Sequence, residues 1–200
     1  MQEKRGRNTK KKIVSAAWRL FYEHGYEDTT IDEIIEASET SRGSFYHYFP
    51  GKDALLGSLS FLFDDKYEEL ISRMDPEMDA YHKLLFLNQE LFSMIEDTIS
   101  LDLLARMYGA QLTTNGEKSL MDHNRIYYRL IRKVAVEGQE RGELRSDLSV
   151  NEITKLYALC ERALIYDWCL CNGSYSLTNY AKTTMPMFLG QLRSQNSEGQ

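Results

Sequence analysis

Residues 29–52 constrain the fold of this chain most, because their pattern predicts two short helices joined by a tight polar turn. Thr30 precedes Glu33 by three residues, which is the spacing of a capping box at the start of a helix. The helix that follows carries three isoleucines on one face: Ile31, Ile34 and Ile35. The segment is therefore predicted to form a helix-turn-helix.

The second of these helices begins near Arg42 and turns Phe45 and Phe49 inward at a spacing of four residues. In a helix-turn-helix, the N-terminal residues of the second helix face base edges in the major groove of DNA. Arg42 can make a bidentate contact with guanine there, worth about 1–3 kcal/mol of discrimination. The alternatives for Arg42 are a phosphate contact or a solvated charge. Gly43 lets the helix approach closely, and Ser44 can reach a base or a phosphate.

The run from Ile13 to Leu56 resembles the N-terminal domain of the TetR (tetracycline-repressor-like) transcriptional regulators. The matching pieces are IVSAAWRLF from Ile13, HGY from His24, TTI from Thr29, SRGSFYHYF from Ser41 and KDALL from Lys52. One departure is Glu39, which stands where the family usually has glycine in the turn. We expect Glu39 to adopt a left-handed conformation, at a cost of about 1–2 kcal/mol, or the turn to be wound differently.

The predicted DNA contacts combine this resemblance with the chemistry of the residues. The resemblance implies that Tyr46, Tyr48 and Lys52 are the stronger phosphate contacts. His47 adds an imidazole donor, and hydroxyl groups stand at the start of both helices. The full predicted set is Thr30, Thr40, Ser41, Arg42, Gly43, Ser44, Tyr46, His47, Tyr48 and Lys52.

Positive charge is concentrated ahead of this segment. Residues 1–52 contain nine Lys/Arg and eight Asp/Glu, whereas the rest of the chain contains 15 and 22. The cluster comprises Lys4, Arg5, Arg7, Lys10, Lys11 and Lys12. It is interpreted either as an arm that contacts phosphates or as a solvated basic tail.

Several other classes of function are disfavoured. Cys160, Cys169 and Cys171 lack the spacing of a metal site, although a redox switch between two of the thiols stays open. No phosphate-binding glycine loop and no nucleophile–base motif points to an enzyme. No apolar run approaches the roughly 18 residues of a membrane span. We expect no metal, no cofactor, no membrane contact and a cytoplasmic location.

Beyond this segment the pattern stays helical to the end, so the chain is predicted to be all-α with about nine helices. We expect a three-helix DNA-binding head over residues 1–51 and a helical body over residues 52–200. The head's first helix is predicted from about Thr9 to His24. A long helix starting near Lys52 is expected to link the two parts.

The family resemblance implies a body that binds a small molecule and forms a homodimer through its last two helices. Aromatic and methionine side chains suit an adaptable apolar pocket, and they also suit an ordinary helical core. The candidate ligand-binding residues are Phe63, Phe92, Met107, Tyr108, Tyr128, Tyr157 and Glu161. The candidate dimer residues are Leu156, Leu164, Trp168 and Phe188, and the sequence does not divide this stripe between core and partner.

The function predicted from these features is a homodimeric repressor that binds a palindromic DNA operator and is released by a small-molecule effector. Two alternatives stay open at this point. One is a DNA-binding factor of the same fold without a ligand, and the other is a helical binding protein that has lost its DNA function.

Overall fold

A computed structural model describes residues 2–113 and 118–194. Over these ranges the chain forms ten α-helices, one short 3-10 helix at Ser119–Met121 and no β-strand. The helices are α1 (Gln2–His24), α2 (Ile31–Ala37), α3 (Arg42–Tyr48), α4 (Lys52–Leu56), α5 (Leu59–Arg73), α6 (Ala80–Thr98), α7 (Leu101–Thr113), α8 (Ile126–Glu140), α9 (Val150–Leu170) and α10 (Leu177–Gly190). The prediction of an all-α protein is confirmed.

Two predicted helices differ from the structure. The first helix begins at Gln2 rather than Thr9. The long helix expected from Lys52 is interrupted between α4 and α5, where serine hydroxyls compete for backbone carbonyls. Ser58 donates to the carbonyl of Leu55 at 2.5 Å, and Ser60 donates to that of Gly57 at 2.9 Å. This break accounts for ten helices where about nine were expected.

The chain divides into two compact units. The first unit comprises Met1–Phe61 and Asp102–Met121, and the second comprises Leu62–Leu101 and Asp122–Gln200. The boundary expected between residues 51 and 52 does not coincide with this division. Helix α7 belongs to the first unit, a grouping that residue spacing along the chain does not reveal.

The core of the first unit is formed where α1, α2 and α3 pack together. Ile13, Phe21, Ile34 and Phe45 are buried there almost completely. Gly25 follows the last residue of α1, and its φ of +88° lies in the left-handed region that favours glycine and ends the helix. The apolar faces predicted for α2 and α3 are therefore the faces that form the core.

In the second unit, α6 packs against α8 and α10, and α9 packs against the same two helices. The start of α6 and the end of α8 approach closely because residue 138 is glycine. A methyl group added at Gly138 would lie 2.5 Å from the Cβ of Ala80. Glu96 of α6 accepts hydrogen bonds from the amides of Leu177 (3.1 Å) and Thr178 (3.0 Å), which caps α10.

The described part of the chain contains neither a membrane-spanning helix nor a cluster of metal-binding side chains. No helix in residues 2–113 or 118–194 is both long and apolar enough to cross a membrane. In the same ranges, no group of three or more His, Cys, Asp or Glu side chains is arranged to hold a metal ion.

Candidate DNA-binding interface and helical body

Helix α2 starts with the capping box predicted from its sequence. The amide of Glu33 donates to the Thr30 hydroxyl at 3.3 Å, and the amide of Thr30 donates to the Glu33 carboxylate at 2.7 Å. The hydrogen bonds from Thr30 lower the pKa of the Glu33 carboxyl. Thr30 itself is exposed, so the start of α2 is both ordered and accessible.

The turn between α2 and α3 contains the left-handed residue expected at Glu39, whose φ is +53°. Its amide donates to the carbonyl of Glu36 at 3.0 Å, and the amide of Thr40 donates to that of Ile35 at 3.2 Å. The hydroxyl of Ser38 lies 2.8 Å from that of Thr40. These bonds fix the turn and offset the cost of the left-handed conformation.

Helix α3 buries Phe45 and presents its other faces outward. Ser41 is the N-cap, and its hydroxyl accepts the amide of Ser44 at 3.1 Å. The hydroxyl groups of Ser41 and Ser44 also lie 2.9 Å apart. Gly43 and His47 are exposed, and Tyr46 exposes 47% of its surface. The predicted contact residues of α3 therefore share an accessible surface.

Arg42 has a partner within the protein. Its guanidinium forms an ion pair with Asp32 in the first turn of α2, and both side chains are largely exposed. Because such exposed pairs contribute only about 0–1 kcal/mol, DNA can compete for the arginine at little cost. The sequence indicated Arg42 but not Asp32, although both lie at the start of neighbouring helices.

A small pocket of about 290 Å³ lies beside the start of α3. It is lined by Asn8, Thr9, Lys12, Glu39, Thr40, Ser41 and Ser44. Lys12 lies 3.9 Å from the Glu39 carboxylate, at the distance limit of an ion pair. Tyr48 is half-buried on α3, and a methyl group added at Gly6 would lie 3.0 Å from its hydroxyl. The first turns of α1 thus lie close to predicted DNA contacts.

Lys52 was predicted to contact a phosphate, and the structure gives its ammonium group other partners. The group donates to the backbone carbonyls of Tyr26 (2.7 Å), Glu27 (3.1 Å) and Thr29 (3.1 Å). An ammonium group has three donors, so all three are used. Lys52 therefore holds the loop between α1 and α2, and its contact with a phosphate stays a prediction.

The same loop is held by two further groups. The Tyr26 hydroxyl donates to Asp53, and burial together with this carboxylate raises the pKa of Tyr26. Arg106 of α7 lies 2.8 Å from the Glu27 carboxylate and 5.2 Å from the Tyr26 ring centroid. Sequence analysis missed Arg106, because nothing in the local pattern links it to a loop about 80 residues earlier.

Comparison with known families accounts for both parts of the chain. The family model described as bacterial regulatory proteins, tetR family, matches residues 13–59. The model described as YsiA-like protein, C-terminal region, matches residues 63–191. The chain belongs to the TetR family. It is accordingly a DNA-binding transcriptional regulator, as the helix-turn-helix predicted.

Individual relatives agree with this assignment. The uncharacterized HTH-type transcriptional regulator YuxN of Bacillus subtilis is 35% identical over 97 residues, which is 46% of this chain and 33% of that protein. The HTH-type transcriptional repressor AcnR of Corynebacterium efficiens is 27% identical over 154 residues, covering 75% of this chain and 76% of AcnR. The structure of FadR from Bacillus subtilis with stearoyl-CoA has a TM-score of 0.64 at 21% identity, covering 90% of this chain and 98% of that one.

The candidate ligand-binding residues of this TetR-family chain fall in both units. Met107, which is buried, and Tyr108, which is half-buried, lie on α7 in the first unit. Five others are buried in the second unit: Phe63, Phe92, Tyr128, Tyr157 and Glu161. The predicted set is therefore not one contiguous cluster within either unit.

Glu161 is the centre of a buried polar network in the second unit, where it exposes only 3% of its surface. Its carboxylate accepts hydrogen bonds from the Asn88 amide at 3.0 Å and the Tyr127 hydroxyl at 2.8 Å. The hydroxyl of neighbouring Tyr157 donates to the carbonyl of Leu84 at 3.1 Å. Burial raises the pKa of Glu161, and the hydrogen bonds it accepts offset part of that rise. Asn88 was not found by sequence analysis.

The last two helices, α9 and α10, present a face of large apolar side chains to solvent. Its exposed members are Leu159, Tyr166, Leu170, Tyr180, Met187 and Phe188. Of the four predicted dimer residues, Phe188 lies on this face and Leu156 is half-buried. Leu164 and Trp168 are instead buried within the subunit, and their role in a dimer stays a prediction.

Proposed function

We propose that this chain acts as a homodimeric repressor whose two helix-turn-helix heads bind a palindromic operator. Dimerisation is supported by the exposed apolar face of α9 and α10, where Leu159 and Met187 expose 54% and 69% of their surface. Large exposed apolar patches mark interaction sites on soluble proteins. A twofold interface uses the same patch on both subunits, which presents two heads to related half-sites.

The proposed DNA contacts are the exposed residues of α3 together with the start of α2. Arg42 would leave Asp32 and contact a base or a phosphate, while Tyr46 and His47 position the helix on the backbone. Thr30, Thr40, Ser41, Gly43, Ser44 and Tyr48 complete the proposed surface. Lys52 is proposed to act indirectly, by holding the loop that leads into α2.

A small-molecule effector is proposed to control DNA affinity. The related FadR structure contains stearoyl-CoA, a small molecule bound to a protein of this fold. An effector releases DNA only if it binds more tightly to the conformation that cannot bind the operator. The proposed ligand residues are the buried ones named above in the second unit, with Glu161 as their polar group, and Met107 and Tyr108 in the first. Regulation of this kind requires differential binding and no catalysis.

We infer a cytoplasmic location, because the operator of a bacterial regulator lies on the chromosome. This inference follows from DNA binding and not from any property of the surface.

The experiment that tests the proposed function is selection of bound duplexes from a random DNA pool at near-physiological salt. Recovery of a palindrome, bound by two subunits, supports the proposal. Binding without sequence preference that disappears as salt rises contradicts it. A thermal-shift screen with acyl-CoA thioesters and other small apolar molecules then tests the effector. If the operator is bound but no compound both stabilises the protein and weakens DNA binding, the chain is a regulator without a ligand.

A further inference from the structure

A groove of about 370 Å³ in the second unit combines an apolar floor with a cationic rim. The floor includes Ile71 at the end of α5 and Leu130 on α8. The rim includes Lys83, Arg129 and Lys133. Small-molecule sites in proteins occupy roughly 300–1,000 Å³, so this groove is at the lower end of that range.

The charges around the groove are unbalanced. Four cations line it (Lys83, Arg129, Lys133 and Arg141), and Glu137 is the one carboxylate among its lining residues. This excess is local, because residues 62–101 and 122–194 contain 18 Asp/Glu against 13 Lys/Arg. A concentration of positive charge on a predominantly acidic unit attracts anions.

Glu137 neutralises these cations incompletely. One of its oxygens lies 3.5 Å from the ammonium of Lys83, and the other lies 3.8 Å from that of Lys133. Both distances exceed those of a strong charged hydrogen bond, and a single carboxylate serves two lysines. Arg141 lies 3.9 Å from the carboxylate of Glu143, which is not a lining residue. Arg129 is exposed and forms no ion pair with any described residue. The groove therefore has unused capacity for negative charge.

Lys83 is the unusual member of this group, because only 4% of its surface is exposed. Its ammonium also donates to the carbonyl of Pro76 at 3.2 Å. A buried ammonium group is costly unless it is closely paired and hydrogen-bonded. A buried lysine in the wall of an apolar groove, with its nearest carboxylate at 3.5 Å, is suited to an anion that enters the groove.

We propose that this groove binds a small amphiphilic anion. The anionic head, a phosphate or carboxylate, contacts Lys83, Arg129 and Lys133, while a single alkyl tail lies along Ile71 and Leu130. The size of the groove favours one short chain in free solution over a protein partner or a membrane. The inference concerns binding alone and stands independently of the operator and of DNA release.

The test is an isothermal titration calorimetry experiment, in which decyl phosphate below its critical micelle concentration is added to the full-length protein. Two related probes separate the contributions of head and tail. Inorganic phosphate supplies the head alone, and decyltrimethylammonium supplies the tail with the opposite charge. We expect decyl phosphate to bind at least about tenfold more tightly than either, which corresponds to one decade in Kd.

Variants locate the binding. Arg129→Gln/Lys133→Gln should weaken decyl phosphate binding about tenfold or more. Lys155→Gln/Lys182→Gln removes the same amount of positive charge from exposed positions on α9 and α10. This variant should bind decyl phosphate with nearly unchanged affinity. Ile71→Ser should weaken binding, whereas Val136→Ser, at an exposed site on α8 outside the groove, should not. All four variants change exposed residues, so each is expected to fold.

Three results would overturn the proposal. They are the absence of decyl phosphate binding, equal binding of decyltrimethylammonium, and an equal loss of affinity in both double variants. Co-sedimentation with phosphatidylglycerol vesicles without any binding of free decyl phosphate would assign the cations to a membrane surface and would also reject it.

Discussion

The ammonium group of Lys52 lies 4.4 Å from the centroid of the Tyr26 ring and donates to the backbone carbonyl of the same residue at 2.7 Å. The first helical turn of α4 is thereby attached to the loop that leads into α2. A lysine at the start of a helix opposes the macrodipole, and this structure explains its presence through the carbonyl groups that it binds. The position of the helix-turn-helix thus depends on a residue outside it.

Replacing Lys52 with methionine should therefore destabilise the head rather than remove a DNA contact. Charged hydrogen bonds contribute about 1.5–3 kcal/mol each, and we expect a net loss of about 2 kcal/mol in the free energy of unfolding. DNA affinity should fall for all sequences, with no change in the slope of log K against log salt. Lys11→Met, in the basic part of α1, should lower the melting temperature less than Lys52→Met does and should reduce that slope by about one. A reduced slope in the Lys52 variant would restore it as a phosphate contact.

The ion pair between Asp32 and Arg42 predicts a gain of DNA affinity when the acid is removed. Asp32→Asn frees the guanidinium and removes a negative charge beside the DNA, so operator affinity should rise about threefold to tenfold. Fluorescence anisotropy with labelled operator measures the change. Glu36→Gln, an exposed acid at the other end of α2, serves as the control and should have a smaller effect. Weaker operator binding by Asp32→Asn would mean that Asp32 orients the arginine.

The exposed face of α9 and α10 predicts the effect of a charge placed on it. Leu159→Glu buries an unpaired carboxylate in each subunit of a twofold interface, and such burial costs several kcal/mol. We expect the dissociation constant of the dimer to rise by at least about a hundredfold. Sedimentation equilibrium measures this constant. Leu112→Glu changes a leucine that is at least as exposed, on α7, and should leave the dimer intact. Equal behaviour of the two variants would place the interface elsewhere.

The raised pKa of Glu161 gives the protein a defined dependence of stability on pH. The folded state holds this proton more tightly than the unfolded chain, so the free energy of unfolding falls as pH rises above the ordinary carboxyl pKa. Glu161→Gln should remove that decline, which has a maximum slope of about 1.4 kcal/mol per pH unit. Urea titrations from pH 5 to pH 8, followed through the body's Trp168, measure it.

The control for this prediction is Glu152→Gln at the start of the same helix. The pKa of Glu152 is lowered by the Ser149 hydroxyl and amide, so its contribution has the opposite sign and is lost as pH falls. If the free energy of unfolding varies with pH in the same way for Glu161→Gln and the unmodified protein, the pKa of Glu161 is not raised by folding, and the prediction is wrong.

Close packing at Gly138 predicts a large difference between two glycine substitutions. Gly138→Ala places a methyl group 2.5 Å from the Cβ of Ala80, so α6 and α8 must move apart. Overpacking of this kind costs about 1–3 kcal/mol. Gly109→Ala in α7 meets no atom within 4 Å and should stabilise the protein by about 0.5–1 kcal/mol through helix propensity. Urea midpoints of the two variants should therefore shift in opposite directions.

The head was predictable from sequence because its signals are local. The capping box of Thr30 and Glu33 and the inward phenylalanines of α3 depend on residues three or four positions apart. Of the two alternatives expected at Glu39, a left-handed residue or a differently wound turn, its φ of +53° shows the first. The break after α4 was missed, because regular leucine spacing continues across Gly57 and Ser58.

The sequence alone determined the helical class, the helix-turn-helix and its exposed residues, since these follow from short-range periodicity and capping. Tertiary structure decided which side of α9 faces the core, where Leu164 and Trp168 are buried and Leu159 is not. It also decided that the ammonium of Lys52 binds backbone carbonyls and that Lys83 lies in the wall of a groove. Each of these outcomes depends on which distant segments pack together, and burial or the pairing of a charge is settled only by that packing.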